Sequence, residues 1–313
     1  MSDGTKGAIA VAVASIMWGL VPIYYKLLAH VPPLEVLAHR TIWSLVFFGL
    51  VLMVQRRLHE VRALLSRPSD LAAIAAAATL ISCNWLLFIY SVQIDRVTEA
   101  SLGYYIFPLV SVVLGMVFYR ETLKPAQAAA VVLAAAGVGV LTWGLGAAPW
   151  ISIGLALLFG FYGVIKKYVN AGPVVSVSAE VLLLVPLAVV WLWGVHAQGW
   201  TGLTGETLGT FGHDWSDSLL LIVSGPLTAV PLILFSYASR RVTMATVGLV
   251  QYLNPTLQFL VATVLFAEPF TPWHAIAFPL IWVALAIYSV WAVRHERSAR
   301  RAATSSSTVS TTT

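Results

Sequence analysis

The sequence predicts an all-α integral membrane protein of ten transmembrane helices, arranged as two inverted five-helix repeats. Three observations predict it: a composition too apolar for water, ten apolar runs of helical length, and a match between two halves whose matching segments fall on opposite sides of the membrane. Of 313 residues, 59% are hydrophobic and 10% charged, whereas a soluble domain carries about 25% charge. So much apolar surface cannot be hidden in one core, and lipid must be the solvent for most of it. The net charge is +5, but the basic residues sit in short loops between apolar runs, which argues against a nucleic-acid partner. The single cysteine, Cys83, can form no internal disulfide.

A bilayer core about 30 Å thick needs about 20 apolar residues of helix. Such runs occupy residues 7–28, 34–54, 71–92, 100–119, 125–143, 150–168, 174–195, 218–238, 245–267 and 273–293. Barrel strands would be about ten residues long with alternating polarity, and no such alternation is present. The first run follows Lys6 and contains Ala12–Val13–Ala14, which resembles a cleavage site. The stretch between them is shorter than the roughly 7–15 residues of a signal-peptide core, so it reads as a retained helix. Trp143, Trp150, Trp273 and Trp291 stand near run ends, where amphipathic rings favour the interface.

Fifteen of the eighteen Lys and Arg fall in one set of loops, and only Lys26, Arg40 and Arg96 in the other. The positive-inside rule places the rich set, and with it both termini, in the cytoplasm. That placement requires an even number of spans. The largest exterior loop, residues 196–217, has three acids and no Lys or Arg, and the Ser/Thr-rich tail, 298–313, reads as disordered.

The halves match in sequence. RVTEASLG at 96–103 answers RVTMATVG at 241–248, and Pro108, Glu121 and Pro125 answer Pro255, Glu268 and Pro272 at one constant spacing. Gly19 and Lys26 pair more weakly with Gly160 and Lys167. An odd number of spans per half turns the second half upside down relative to the first, the inverted repeat of many secondary transporters. The halves are residues 7–143 and 150–293.

Candidate site residues follow from polarity at depth. Pro108 and Pro255 fall inside the fourth and ninth spans, where each removes a helical hydrogen bond. Interrupted helices at matching positions point to a central binding site. Gln251, Asn254 and Gln258 share one helix face beside Tyr252. The matching face of the fourth span carries Tyr104, with Tyr105 adjacent, and the third span carries Asn84, Phe88 and Ser91 beside Trp85. Amides are costly in lipid, so these stripes should face the bundle interior; the bland alternative is hydrogen-bonded glue between helices. The uncharged part of the second span, 41–54, gives only about 21 Å of helix. His39 and Arg40 therefore lie at or within the outer boundary, one turn from Glu35, and Glu180 holds a similar depth at the opposite side. Glu35, His39, Arg40, Glu99 and Glu180 are candidates for gating or coupling, although Arg40 could snorkel to the interface and Glu35 could simply pair with His39. Lys26 and Lys167 read as interfacial anchors, Pro22 as a bend that could turn Tyr25 or Lys26 inward, Asp95–Arg96–Glu99 as a salt-bridged turn, and Glu121 and Glu268 as helix-start or loop partners.

Several runs carry a resemblance: WGLVPIYYKLLAHVPPLEVLAHRTIWSLVF (18–47), NWLLFIYSVQIDRVTEASLGYYIFPL (84–109), RETLKPAQ and QYLNPTLQFL (251–260). Over about residues 7–295 the chain resembles RarD-type permeases of the EamA branch of the drug/metabolite transporter superfamily. The resemblance implies two EamA repeats, cytoplasmic termini and export or permeation of small molecules across a bacterial inner membrane. Its link to chloramphenicol sensitivity implies no substrate, and it supplies no binding residues by position. The partners expected are a small solute and the lipid bilayer. No cofactor or metal is called for: there is no Walker A loop, no HExxH and no cluster of aspartates, Asp70 and Asp217 standing apart. Proton coupling through Glu35, His39, Glu99 or Glu180 and facilitated diffusion both fit. The alternatives, a signalling or structural polytopic protein and a membrane enzyme, need neither inverted halves nor a central polar stripe.

Overall fold

The computed structural model describes residues 3–120, 122, 124–146, 148–201, 209–242 and 244–309, the side chains of 244–245 and 295–309 excepted. The helices are α1 (Asp3–Leu27), α2 (Pro33–Val54), the short α3 (Leu58–Leu65), α4 (Pro68–Gln93), α5 (Val97–Tyr119), α6 (Pro125–Leu145), α7 (Trp150–Lys166), α8 (Pro173–Gln198), α9 (Trp215–Ser239), α10 (Met244–Gln251), α11 (Leu253–Leu260) and α12 (Pro272–Val309). Among the described residues there is no β-strand, only one isolated bridge between Phe211 and Asp214. Eight helices are long and apolar enough to cross a membrane, and α7, with 17 residues, is apolar but shorter. Prolines open α2, α4, α6 and α8, because the first turn has no intrahelical partner for the missing N–H and the ring presets the helical φ. This is why the expected boundaries fall within a few residues of those observed. Helix continues to Val309, through residues where composition predicts a disordered tail.

The ninth apolar run is not one helix. It is divided into α10, α11 and a π-helical turn, Val261–Leu265. Pro255 has no N–H to offer the carbonyl of Gln251, and its ring presses on that carbonyl; the break falls at Tyr252, between the two. In the π turn Phe266 N–H reaches back five residues to Val261 O at 2.9 Å. The matching Pro108 does not divide α5, which runs unbroken from Val97 to Tyr119. The expectation of equivalent interruptions therefore holds on one side only. In α5, the turn before the proline is clamped on α7: a Cβ on Gly103 would lie 2.8 Å from the Ser152 carbonyl oxygen. Such contact is the small-residue packing that membrane helices use.

Contacts define two ends of the bundle. At one end Lys26 pairs with Asp95 at 2.5 Å, His30 with Asp217 at 2.7 Å, and the Glu268 carboxylate accepts the N–H groups of Val97 and Thr98 at 2.6 and 2.7 Å. Asp217 is thus not isolated, and Glu268 acts as the helix-start partner expected of it; Glu121 lies outside the described residues. At the other end the Tyr119 hydroxyl donates to Val164 O at 2.9 Å, and Lys167 Nζ stands 3.9 Å over the Tyr119 ring. Across the bundle α1 packs on α9 and α11, α2 on α8 and α9, α4 on α7 and α8, α5 on α7 and α11, and α6 on α12.

Candidate functional site

The predicted site residues form three groups rather than one. The first lies between α1, α2, α4 and α5. Arg40, two turns into α2 and 8% exposed, donates from Nη1 to the Tyr25 hydroxyl at 2.7 Å and lies 4.1 Å over the Trp85 ring. It does not snorkel. Tyr25 is turned inward, as the bend at Pro22 suggests, and meets Phe88 edge-on, which meets Tyr104 at 5.8 Å. Asn84 is buried and donates to Leu155 O of α7 at 3.1 Å; its Oδ1 stands 3.5 Å from the Tyr104 hydroxyl, the outer limit of a hydrogen bond. The third-span stripe of Asn84, Phe88 and Ser91 is wholly interior.

From Tyr104 a string of rings continues into the second half. Tyr104 meets Phe159, which touches Phe107 at 4.8 Å and stacks on Tyr162 at 5.8 Å. The Tyr162 hydroxyl stands 3.2 Å from Glu180. Glu180, fully buried, also accepts from Lys166 Nζ at 2.6 Å and Ser176 Oγ at 3.1 Å. Ring and polar contacts thus lead from Arg40 near one end to Lys166 at the other. Phe159, Tyr162 and Lys166 are absent from the sequence-based candidates; their one legible signal is that Phe159, Tyr162 and Lys166 recur at i, i+3 and i+7 along α7.

The second group lies between α5, α11 and α12. The Tyr105 hydroxyl and Thr256 Oγ1 are 2.7 Å apart, and the Tyr105 ring meets Phe278 and Trp282 edge-on. Gln258 is buried and donates to Asn254 Oδ1 at 2.8 Å and Trp18 O at 3.4 Å, while its own Oε1 has no partner among the described residues. Gln251 and Tyr252 flank the break and are half-buried, Pro255 is buried, and Pro108 is half-buried. This stripe therefore faces protein, in part as interhelical glue.

The third group is the rim beside the largest loop. Glu35 is fully buried, and its Oε1 accepts from the N–H groups of Thr210 and Phe211 at 2.8 and 3.4 Å. Phe211 stacks on His39 at 4.5 Å. Glu35 and His39 do not bond each other: Glu35 Oε2 and His39 Nε2 are buried without a hydrogen-bond partner among the described residues. Ligand atoms of Glu35, His39 and His196 lie within 4.8 Å of one another, so a carboxylate and two imidazoles that sequence distance keeps apart could hold a proton or a metal ion. Glu99 sits at the same end, paired with Arg96, and its backbone carbonyl accepts Ser152 Oγ at 2.6 Å. A cavity of about 550 Å³ opens between α2, α3 and α8, lined mainly by Leu45, Leu52, Leu58, Leu65 and Leu182; no predicted site residue lines it.

This arrangement of helices has known counterparts. The model of the EamA-like transporter family matches residues 5–143. The RarD protein of Streptomyces exfoliatus is 42% identical over 285 residues, which cover 91% of this chain and 88% of that protein. The chain belongs to the EamA-like transporter family. An uncharacterized transporter of Pseudomonas aeruginosa is 40% identical, with 93% of this chain and 96% of that protein covered. A crystal structure with 17% identity matches this EamA-family chain at a TM-score of 0.60, covering 92% of it and 98% of the other; at that identity the likeness shows the fold. The family and its RarD-type relatives make the chain a membrane transporter or permease.

Proposed function

We propose that the chain is a secondary transporter of small metabolites or drug-like solutes, working by alternating access between inverted halves at residues 7–143 and 150–293. Ten crossings are counted when α7 and the jointed ninth run are added to the eight long helices. The end rich in Lys and Arg faces the cytoplasm of a bacterial inner membrane, with both termini on that side.

The observation that carries this reading is the pairing of helices. When α1, α2, α4, α5 and α6 are matched in order with α7, α8, α9, α10–α11 and α12, every major packing pair has a counterpart. The contact of α1 with α9 answers that of α7 with α4, and α1 on α11 answers α7 on α5; α2 with α8 and α6 with α12 answer themselves. Glycines repeat the rule: a Cβ on Gly19 would lie 2.6 Å from Leu257 of α11, and one on Gly160 2.7 Å from Leu114 of α5. Two halves packed by one rule can exchange conformations by rocking, and the ring-lined seam through Tyr104 lies between them. The Glu35–His39 rim and the Glu180–Lys166 pair close opposite ends, positions suited to gates or proton sites. No nucleotide-binding loop is present to supply energy.

Flux into proteoliposomes tests the reading. The panel contains amino acids, carboxylic acids and chloramphenicol-like drugs, with and without a pH gradient, beside the variants Asn84→Ala and Glu35→Gln. Saturable uptake of a panel compound, weakened in Asn84→Ala, is expected. Gradient dependence abolished in Glu35→Gln indicates proton coupling, and flux indifferent to the gradient indicates a facilitator. Absence of saturable flux from folded, inserted protein refutes the reading.

A further inference from the structure

Two buried acids have partners of opposite charge, Glu180 with Lys166 and Glu99 with Arg96, and two others, Glu35 and Glu268, are held by backbone N–H groups. No Asp or Glu among the described residues lies within ion-pair distance of the buried Arg40. Its Nη1 is used by the Tyr25 hydroxyl, a neutral oxygen, and its Nε is buried without a hydrogen-bond partner among the described residues.

A guanidinium does not shed its proton inside a protein, so this charge is permanent. Stacking on Trp85 offsets part of its desolvation, but an ion withdrawn from water is not fully compensated without a counter-charge. The planar fork matches a carboxylate bidentately, and its free Nε lies on one such edge. Around it stand Trp85, Tyr25, Phe88 and Tyr104, walls suited to an apolar or aromatic body. Residue 40 also lies at the outer end of the ring string that leads through Tyr104 to Phe159.

We infer that Arg40 is the anchor for the anionic group of the transported solute, and that this solute is a monocarboxylate with an apolar or aromatic body. The inference rests on the transporter reading for its consequence in flux, but binding tests it separately. The state with Arg40 closed against Tyr25 and Trp85 holds the cation in reserve, and the arriving carboxylate supplies the missing charge.

The test is thermal unfolding of the purified, full-length protein in detergent. The ligands are acetate, hexanoate, benzoate and phenylacetate, each beside its amide, and phenethylamine. Hexanoate, benzoate or phenylacetate is expected to raise the melting temperature in a saturable way, with its amide and the amine inert. Arg40→Gln should weaken that binding at least 10-fold. It should also raise the melting temperature of the unliganded protein, because it removes an uncompensated buried charge; a merely structural arginine would give a fall. Arg40→Lys, which keeps the charge but not the fork, should bind several-fold more weakly than the natural protein. An amide as effective as its acid, no stabilisation by any acid, or stabilisation surviving in Arg40→Gln would overturn the proposal. Binding that passes these tests without flux in proteoliposomes upholds the anion site and counts against transport alone.

Discussion

Replacing Lys166 by Met leaves the Glu180 carboxylate buried with only the Ser176 and Tyr162 hydroxyls to hold it. Glu180 is fully buried, whereas the Lys166 side chain is 21% exposed and near the bundle end. Removing one partner of a buried ion pair costs about 3–5 kcal/mol. The two remaining hydroxyl donors, at 3.1 and 3.2 Å, place the loss near the lower bound, about 3 kcal/mol. Glu180→Leu strands an ammonium that can still reach water, and about 1.5 kcal/mol is expected by comparison with the same rule. The double variant Lys166→Met/Glu180→Leu leaves no stranded charge and should cost only about 1.5 kcal/mol, since well-packed apolar side chains replace buried pairs at little cost. Additivity would give about 4.5 kcal/mol, so the coupling is about 3 kcal/mol. Unfolding by titration with a denaturing detergent from mixed micelles measures all three. A double variant equal to the sum of the singles within about 0.5 kcal/mol would refute the claim that the pair holds this end of the seam.

Other outcomes follow from the same structure. Gly225→Ala should destabilise by about 1–3 kcal/mol through overpacking, because its Cβ would lie 2.4 Å from the Trp43 backbone, while Gly139→Ala, with nothing within 4 Å, should be neutral or stabilising in the same unfolding assay. Ala267 has φ of 52°, so Ala267→Gly should stabilise by about 1 kcal/mol by relieving left-handed strain; a loss would show the position is held for another reason. Asp214 caps α9, and bonds from the Ser216 hydroxyl and the Asp217 N–H hold its carboxyl below the ordinary carboxylate range. The cap's contribution is therefore complete above the ordinary value of about 3.9 and is lost as pH falls through the lower folded value. The melting-temperature difference between the natural protein and Asp214→Ala should stay flat from about pH 5 to 8 and shrink below about pH 4.

Much of the fold was legible because membrane helices declare themselves locally. Apolar runs set their length, and prolines at 33, 68, 125 and 173 set their starts. The site was legible only in its members. Depth singled out Arg40, Glu35 and Glu180, and helical spacing placed Asn84, Phe88 and Ser91 on one face. Their partners were hidden by sequence separation: Glu35 meets residues 210 and 211, and Glu268 meets 97 and 98. Such contacts leave no periodic trace. Nor does a proline announce whether its helix will bend or break. Pro108 and Pro255 look alike in sequence, and only the packing around each decides.

That last difference bears on how motion is distributed. Helix α5 is a single strut, whereas α10 and α11 are two short rods joined at Tyr252 and followed by the π turn. Bending a strut means breaking ladder bonds that are already made, whereas jointed rods yield where such bonds are absent. The two segments, alike in sequence around their prolines, are therefore unequal in compliance. The α10–α11 segment is the softer spring, so a load applied between them is taken up there first.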